Sequence, residues 1–171
     1  MDPLIAISFK SFSSVWFWIM IGVSWSVMCH WTLGVPYDAL VRADQKGGDY
    51  ANEAERLAKL NIARIARTFQ KGGTIVTALA CFFLAIIATF GFFYDYELAQ
   101  AIFVLLAPLT LVSAINVRLA MRLDRDAVTG EALRDAVVSR RFWNQVIGLT
   151  SIIFSVLVAF VSFARDVVWW F

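Results

Sequence analysis

PYDALVRADQKGGDYANEAERLAKLNIARIARTFQKGG, residues 36–73, is the stretch whose reading decides the fold. It carries Arg42, Lys46, Arg56, Lys59, Arg64, Arg67 and Lys71 between two long apolar runs. Ala58, Ile62, Ile65 and Phe69 recur at three- and four-residue steps, while Glu53 and Glu55 come early, where a helix dipole favours acids. The pattern predicts an amphipathic helix that starts after a break at Gly47-Gly48, with Asp49 or Asn52 as cap. It should end near Gln70, with Gly72-Gly73 separating it from the next apolar run.

On either side the chain turns apolar. Val15 to Val35 is an uncharged run that, at about 1.5 Å per residue, matches the ~30 Å hydrocarbon core of a bilayer, and Pro36 should end it. Residues 74–93 form a second such run, and a tight Tyr94-Asp-Tyr-Glu97 connection leads to a third over 98–117. Pro108 inside the third should bend the helix without ending it. Residues 118–142 are polar, with Thr129 as cap of a short helix to Ser139, and the fourth run covers 143–164. Residues 1–14, with Lys10 among apolar and serine residues, read as a retained segment lying along an interface. The chain closes on Trp169-Trp170-Phe171, suited to a headgroup layer.

Composition agrees. Of 171 residues 60% are hydrophobic and 16% charged, whereas a soluble domain of this length is about half apolar and about a quarter charged. The expected fold is therefore an all-α, integral membrane four-helix bundle in one domain, with the amphipathic helix between spans 1 and 2 on the cytoplasmic side. Thirteen of the fifteen lysines and arginines fall in segments 36–73 and 118–142, and none in the Tyr94–Glu97 connection. The positive-inside bias then places both segments in the cytoplasm and both termini outside. A net charge of +2 is too small to point to nucleic acid. Cys29 and Cys81, with no C-x-x-C, offer neither a structural zinc site nor a cluster scaffold, and no metal or cofactor is expected.

Small residues step by three and four along the apolar runs: Gly22, Ser26 and Gly34 in the first, Ala78 and Ala85 in the second, Gly148, Ser151, Ser155 and Ser162 in the fourth. Such stripes let helix backbones approach closely, and packing is their expected role ahead of a lined conduit. His30, Asn116, Arg118, Asn144 and Gln145 gather at one end of the runs as a candidate polar pocket. The competing role is a satisfied hydrogen-bond layer with Arg118 reaching toward headgroups. Arg56, Lys59, Arg64, Arg67 and Lys71 form a basic face for a membrane surface or a protein partner. No catalytic constellation stands out.

Ser11-Phe-Ser-Ser-Val-Trp-Phe-Trp18, His30-Trp-Thr-Leu-Gly-Val-Pro-Tyr-Asp38, Gly130-Glu-Ala-Leu-Arg134 and Phe142-Trp-Asn-Gln-Val-Ile-Gly148 resemble a bacterial family of small membrane proteins labelled "component of SufBCD complex". That resemblance implies an inner-membrane protein with a cytoplasmic partner in iron–sulfur cluster assembly. It carries over no catalytic residue. The function expected is a non-enzymatic membrane subunit or anchor that docks its partner through the basic segments, with a homo-oligomer open. Two other classes compete. One is a small four-helix subunit of a solute transporter, similar in length and span count to the TRAP type. The other is a haem or redox protein, in which His30, the only histidine, would need a second chain for bis-histidine ligation.

Overall fold

The computed structural model describes residues 14–168. The interfacial segment expected before Ser14 and the aromatic end Trp169-Trp170-Phe171 lie outside the described residues, as does the side chain of Ser162. The described residues are all-α apart from one minimal ribbon. The elements are α1 (Val15–His30), β1 (Trp31–Thr32), β2 (Val35–Pro36), α2 (Tyr37–Lys46), α3 (Gly48–Phe92), α4 (Glu97–Arg125) and α5 (Gly130–Val168). Among the described residues α3, α4 and α5 are long and apolar enough to cross a membrane, and α1 is a shorter apolar helix.

The first apolar helix ends at His30, earlier than the Pro36 stop read from the sequence. Trp31 pairs with Pro36 and Thr32 with Val35 in an antiparallel ribbon. Its two turn residues, Leu33 (φ 54°) and Gly34 (φ 75°), are both left-handed, as a tight two-residue hairpin requires. Leucine resists that conformation by about 1–2 kcal/mol. The resistance is offset because Leu33 is buried with Val35, Leu40 and Ile62. Asn61 Nδ2 donates to the Gly34 carbonyl at 2.8 Å, fastening the turn to α3. A Cβ on Gly34 would meet the Asn61 side chain at 3.0 Å, so the close approach itself selects glycine.

Gly47, with φ of 59°, separates α2 from α3 and is the N-cap of α3; neither Asp49 nor Asn52 caps it. The second expected break is absent, for α3 runs unbroken through Gly72-Gly73. Each glycine costs a helix about 1 kcal/mol relative to alanine. Breaking the ladder would create two new helix ends, each with up to four backbone groups lacking an intrahelical partner, which costs more. The same reasoning joins the short helix expected up to Ser139 to the fourth apolar run, and the two are the single helix α5, which starts immediately after Thr129. α4 continues through Pro108, as expected.

These long helices give the molecule two separate cores. One lies at the polar end, where Leu33, Val35 and Leu40 pack on Ala58 and Ile62 of α3, Ala120 and Leu123 of α4, and Leu133 and Val137 of α5. Here α3 buries Ala54, Ala58, Ile62 and Ala66 in steps of four. The second core, in the apolar half, joins Ile21 and Trp25 of α1 to Val112 of α4, with Leu105, Leu109 and Ile147 around them. Gly91 is the only described residue of α3 beyond Ala66 that is buried. Gln100 Nε2 donates to its carbonyl at 2.8 Å and closes the α3–α4 hairpin.

The small-residue stripes divide. On α5, Gly148, Ser151 and Ser155 all face inward, and Ser155 donates to the Ser151 carbonyl at 2.8 Å. In α1, Gly22 and Ser26 are exposed, and Gly34 has left the helix for the hairpin turn. Ala78 and Ala85 of α3 are exposed as well. Gly148 is the tightest point: a Cβ there would lie 2.7 Å from the Trp25 ring. Gly148→Val should lower stability by about 1–3 kcal/mol through overpacking. Gly22→Val, with open space around it, should leave thermal stability in detergent unchanged. Equal melting temperatures for the two variants would contradict this packing.

Candidate functional site

Two features qualify as functional surfaces: a polar layer where α1, α4 and α5 meet between the cores, and the outer face of α3 at the polar end. The polar layer is built from α5 outward. Arg140, Asn144 and Gly148 are spaced by four and so share a helix face. Gly148 takes the Trp25 ring, which places Asn144 one turn from the α1 contact. Arg140 Nε donates to Asn116 Oδ1 of α4 at 2.6 Å, and Asn116 Nδ2 lies 4.0 Å from Met28 Sδ of α1. Beside them the Arg141 guanidinium stacks on the Tyr37 ring at 3.5 Å, a cation–π contact that ties α5 to the start of α2.

This layer is incompletely satisfied. Asn144 is wholly buried, and neither its Oδ1 nor its Nδ2 has a hydrogen-bond partner. Trp25 Nε1, one terminal nitrogen of Arg140 and one of Arg141 are likewise shielded without acceptors. Burial pulls the Arg140 guanidinium below its ordinary pKa, because desolvation disfavours the charged form.

Of the residues expected in a polar pocket, the structure brings Asn116 and Asn144 to the layer. Arg118 and Gln145 are exposed. His30 is half-buried, its ring edge-on to Trp31 with centroids 6.0 Å apart. Sequence reading missed Trp25, Met28, Tyr37, Arg140 and Arg141. The four-residue spacing Arg140–Asn144–Gly148 was the available signal for one of the arginines; nothing in the sequence announced that Trp25 would be the residue seated on the glycine. No group of three or more metal-ligating side chains occurs among the described residues.

The second surface lies on α3. At 100° per residue Arg56, Arg64, Arg67 and Lys71 fall opposite the buried Ala54, Ala58, Ile62 and Ala66, with Lys59 on the flank. All five basic side chains are exposed. Lys59 pairs with Glu55 at 2.5 Å on the flank, and Arg67 Nε donates to the Ala63 carbonyl at 3.2 Å. Arg134 of α5 pairs with Asp44 of α2, closing the neighbouring edge. Between α2, α3 and α5 lies a cavity of about 240 Å³, with Leu40, Ala54 and Leu133 in its wall and Glu55 and Arg134 among its polar lining.

No protein family, curated protein or solved structure matches the chain. The class that the described residues define is an all-α protein with three helices long and apolar enough to cross a membrane, capped at one end by a packed polar-surfaced lobe.

These contacts generate two testable outcomes. Asn144→Leu removes an unpaired amide at nearly constant volume and should leave the melting temperature unchanged or raise it, whereas Asn144→Ala should lower it by opening a cavity. A clear loss of stability in the leucine variant would show that the amide is satisfied in solution. Glu55 is held below the ordinary carboxylate pKa by hydrogen bonds from Lys59 and from the Gly130 backbone. Its folded value lies below its unfolded value, so its stabilisation is present above the unfolded value and is lost as pH falls through the folded one. Protection of the amides at the start of α5, measured as exchange relative to the unfolded chain at the same pH, should therefore fall below about pH 4.5, the ordinary value for glutamate. Glu55→Gln should flatten that dependence.

Proposed function

We propose that the protein is an integral membrane subunit or anchor with no reaction of its own, which holds a cytoplasmic partner against the basic face of α3. The observation that carries this reading is how α3 uses its two sides. Its apolar side is consumed inside the lobe by Ala58 and Ile62, so that side is not laid on headgroups. Its basic side stands free for an acidic partner. Because α3 is one helix from Gly48 to Phe92, the docking face is rigidly joined to the apolar half.

Membrane integration is supported by the large side chains left uncovered around that half. Ile75 is 67% exposed, Phe82 60%, Leu149 62% and Phe160 69%. In water such a belt would drive association; in lipid it is ordinary surface. α1 runs toward the lobe beside the apolar halves of α4 and α5, so we assign it as the fourth crossing although it is short. With the lobe in the cytoplasm of a bacterial inner membrane, both termini face outward. The partner suggested by the family resemblance is the SufBCD cluster-assembly complex.

Affinity purification of the full chain from gently solubilised membranes tests the docking face. A partner should co-purify in stoichiometric amount with the wild type and fall at least about tenfold with Arg56→Glu/Arg64→Glu/Arg67→Glu, the loss of several charge contacts of about 1 kcal/mol each. Wild-type protein that repeatedly purifies alone would end this reading.

A further inference from the structure

Two features of α5 meet within one turn, and the docking face of α3 uses neither. The first is Arg140 and its neighbour Arg141: each keeps one contact, to Asn116 and Tyr37, and each has a shielded terminal nitrogen without an acceptor. No carboxylate pairs with either among the described residues. Both arginines are only half-buried, so the part of each guanidinium that is not shielded remains open to an anion, and charge drawn partly out of water favours such a partner. The second feature is an apolar groove of about 430 Å³ between α4 and α5, with Phe92, Phe103, Pro108, Trp143 and Phe154 in its walls.

The two are aligned. At 100° per residue Arg140, Trp143, Ile147, Phe154 and Val158 lie on one face of α5, so the guanidinium stands one turn before the groove's wall at Trp143. From Trp143 to Val158 the wall rises about 22 Å, more than the ~15 Å depth of one leaflet. The hydroxyl of Thr150 in that wall is already spent on the Val146 carbonyl at 2.9 Å. The wall therefore offers hydrocarbon contact rather than open hydrogen bonds, and its cationic end is the end toward the lobe.

We propose that this is a site for one anionic phospholipid, its phosphate on Arg140 with the charge of Arg141 nearby, and one acyl chain laid in the α4–α5 groove. The site rests on the membrane reading above, in which the arginines lie at the level of the inner headgroups and the groove lies within the hydrocarbon. A phospholipid is the ligand whose own order of charge and chain matches that of the wall. A soluble phosphate would use only the first part, and an uncharged lipid only the second.

The full chain, delipidated in detergent, should be titrated with phosphatidylglycerol and with phosphatidylcholine of identical chains, and the bound lipid counted by native mass spectrometry. Phosphatidylglycerol should bind at least about fivefold more tightly, the share of one guanidinium near an anionic headgroup. Arg140→Gln should abolish that preference while keeping chain binding, and Arg140→Lys should restore part of it. Thr150→Trp, which fills the groove from an exposed position, should weaken both lipids. Equal binding of the two lipids by the wild type, or an undiminished preference in Arg140→Gln, would overturn the proposal. So would complete displacement of the lipid by millimolar inorganic phosphate, which would mark a simple anion site. Alkaline carbonate extraction of native membranes separates the two levels of failure. A chain released into the aqueous fraction refutes membrane integration and the lipid site together, while a retained chain without headgroup preference refutes the lipid site alone.

Discussion

The structure depends on the cost of interrupting a long helix. A break in mid-helix leaves up to four N–H and four C=O groups without an intrahelical partner, more than the propensity of any single residue can offset. This is why α3 passes through two consecutive glycines and α5 passes from its polar start into its apolar run without a pause. Among the described residues chain direction changes only at the polar end and at the Phe93–Tyr96 turn. From this constraint comes the two-part build, with helices shared between lobe and apolar half instead of a lobe strung on flexible linkers.

Between the two parts sits the polar layer. Its position is set by the same helices: α5 carries its arginines in the turns that precede its apolar run, and α4 brings Asn116 to the same level. Side chains there are held on several elements at once, by Trp25 on Gly148 and by Arg141 on Tyr37. A layer so fastened fixes the rotation of α5 relative to α1 and α2. It also leaves one terminal nitrogen of each arginine and the Asn144 amide without a hydrogen-bond partner. The basic face of α3 differs in kind: its side chains are exposed, and its role in the proposed reading is electrostatic rather than geometric.

Much of this was legible in the residues. The apolar runs and their approximate lengths, the break at Gly47, the passage of α4 through Pro108 and the amphipathic face with Ala58 and Ile62 inward are local properties, written in spacing that a helix converts directly into faces. The hairpin after α1 was hidden because its turn uses Leu33 at a left-handed angle, which local preference disfavours and only burial in the lobe supports. The candidate site was half visible. Asn116 and Asn144 stood out as amides in apolar runs, but Arg140 and Arg141 looked like ordinary loop charge until α5 was seen to be one helix.

By itself the sequence determined that the chain is helical and apolar over most of its length, and that thirteen of its fifteen lysines and arginines fall in two segments, because composition and periodicity act through the backbone alone. The tertiary structure decided which small residues are contacts and which are surface, where α1 stops, and that the alanine side of α3 turns inward on α2, α4 and α5. Those outcomes depend on which helix lies opposite, and the opposite helix is far away in sequence: Trp25 meets Gly148, and Gly34 meets Asn61, only after the chain has folded back on itself.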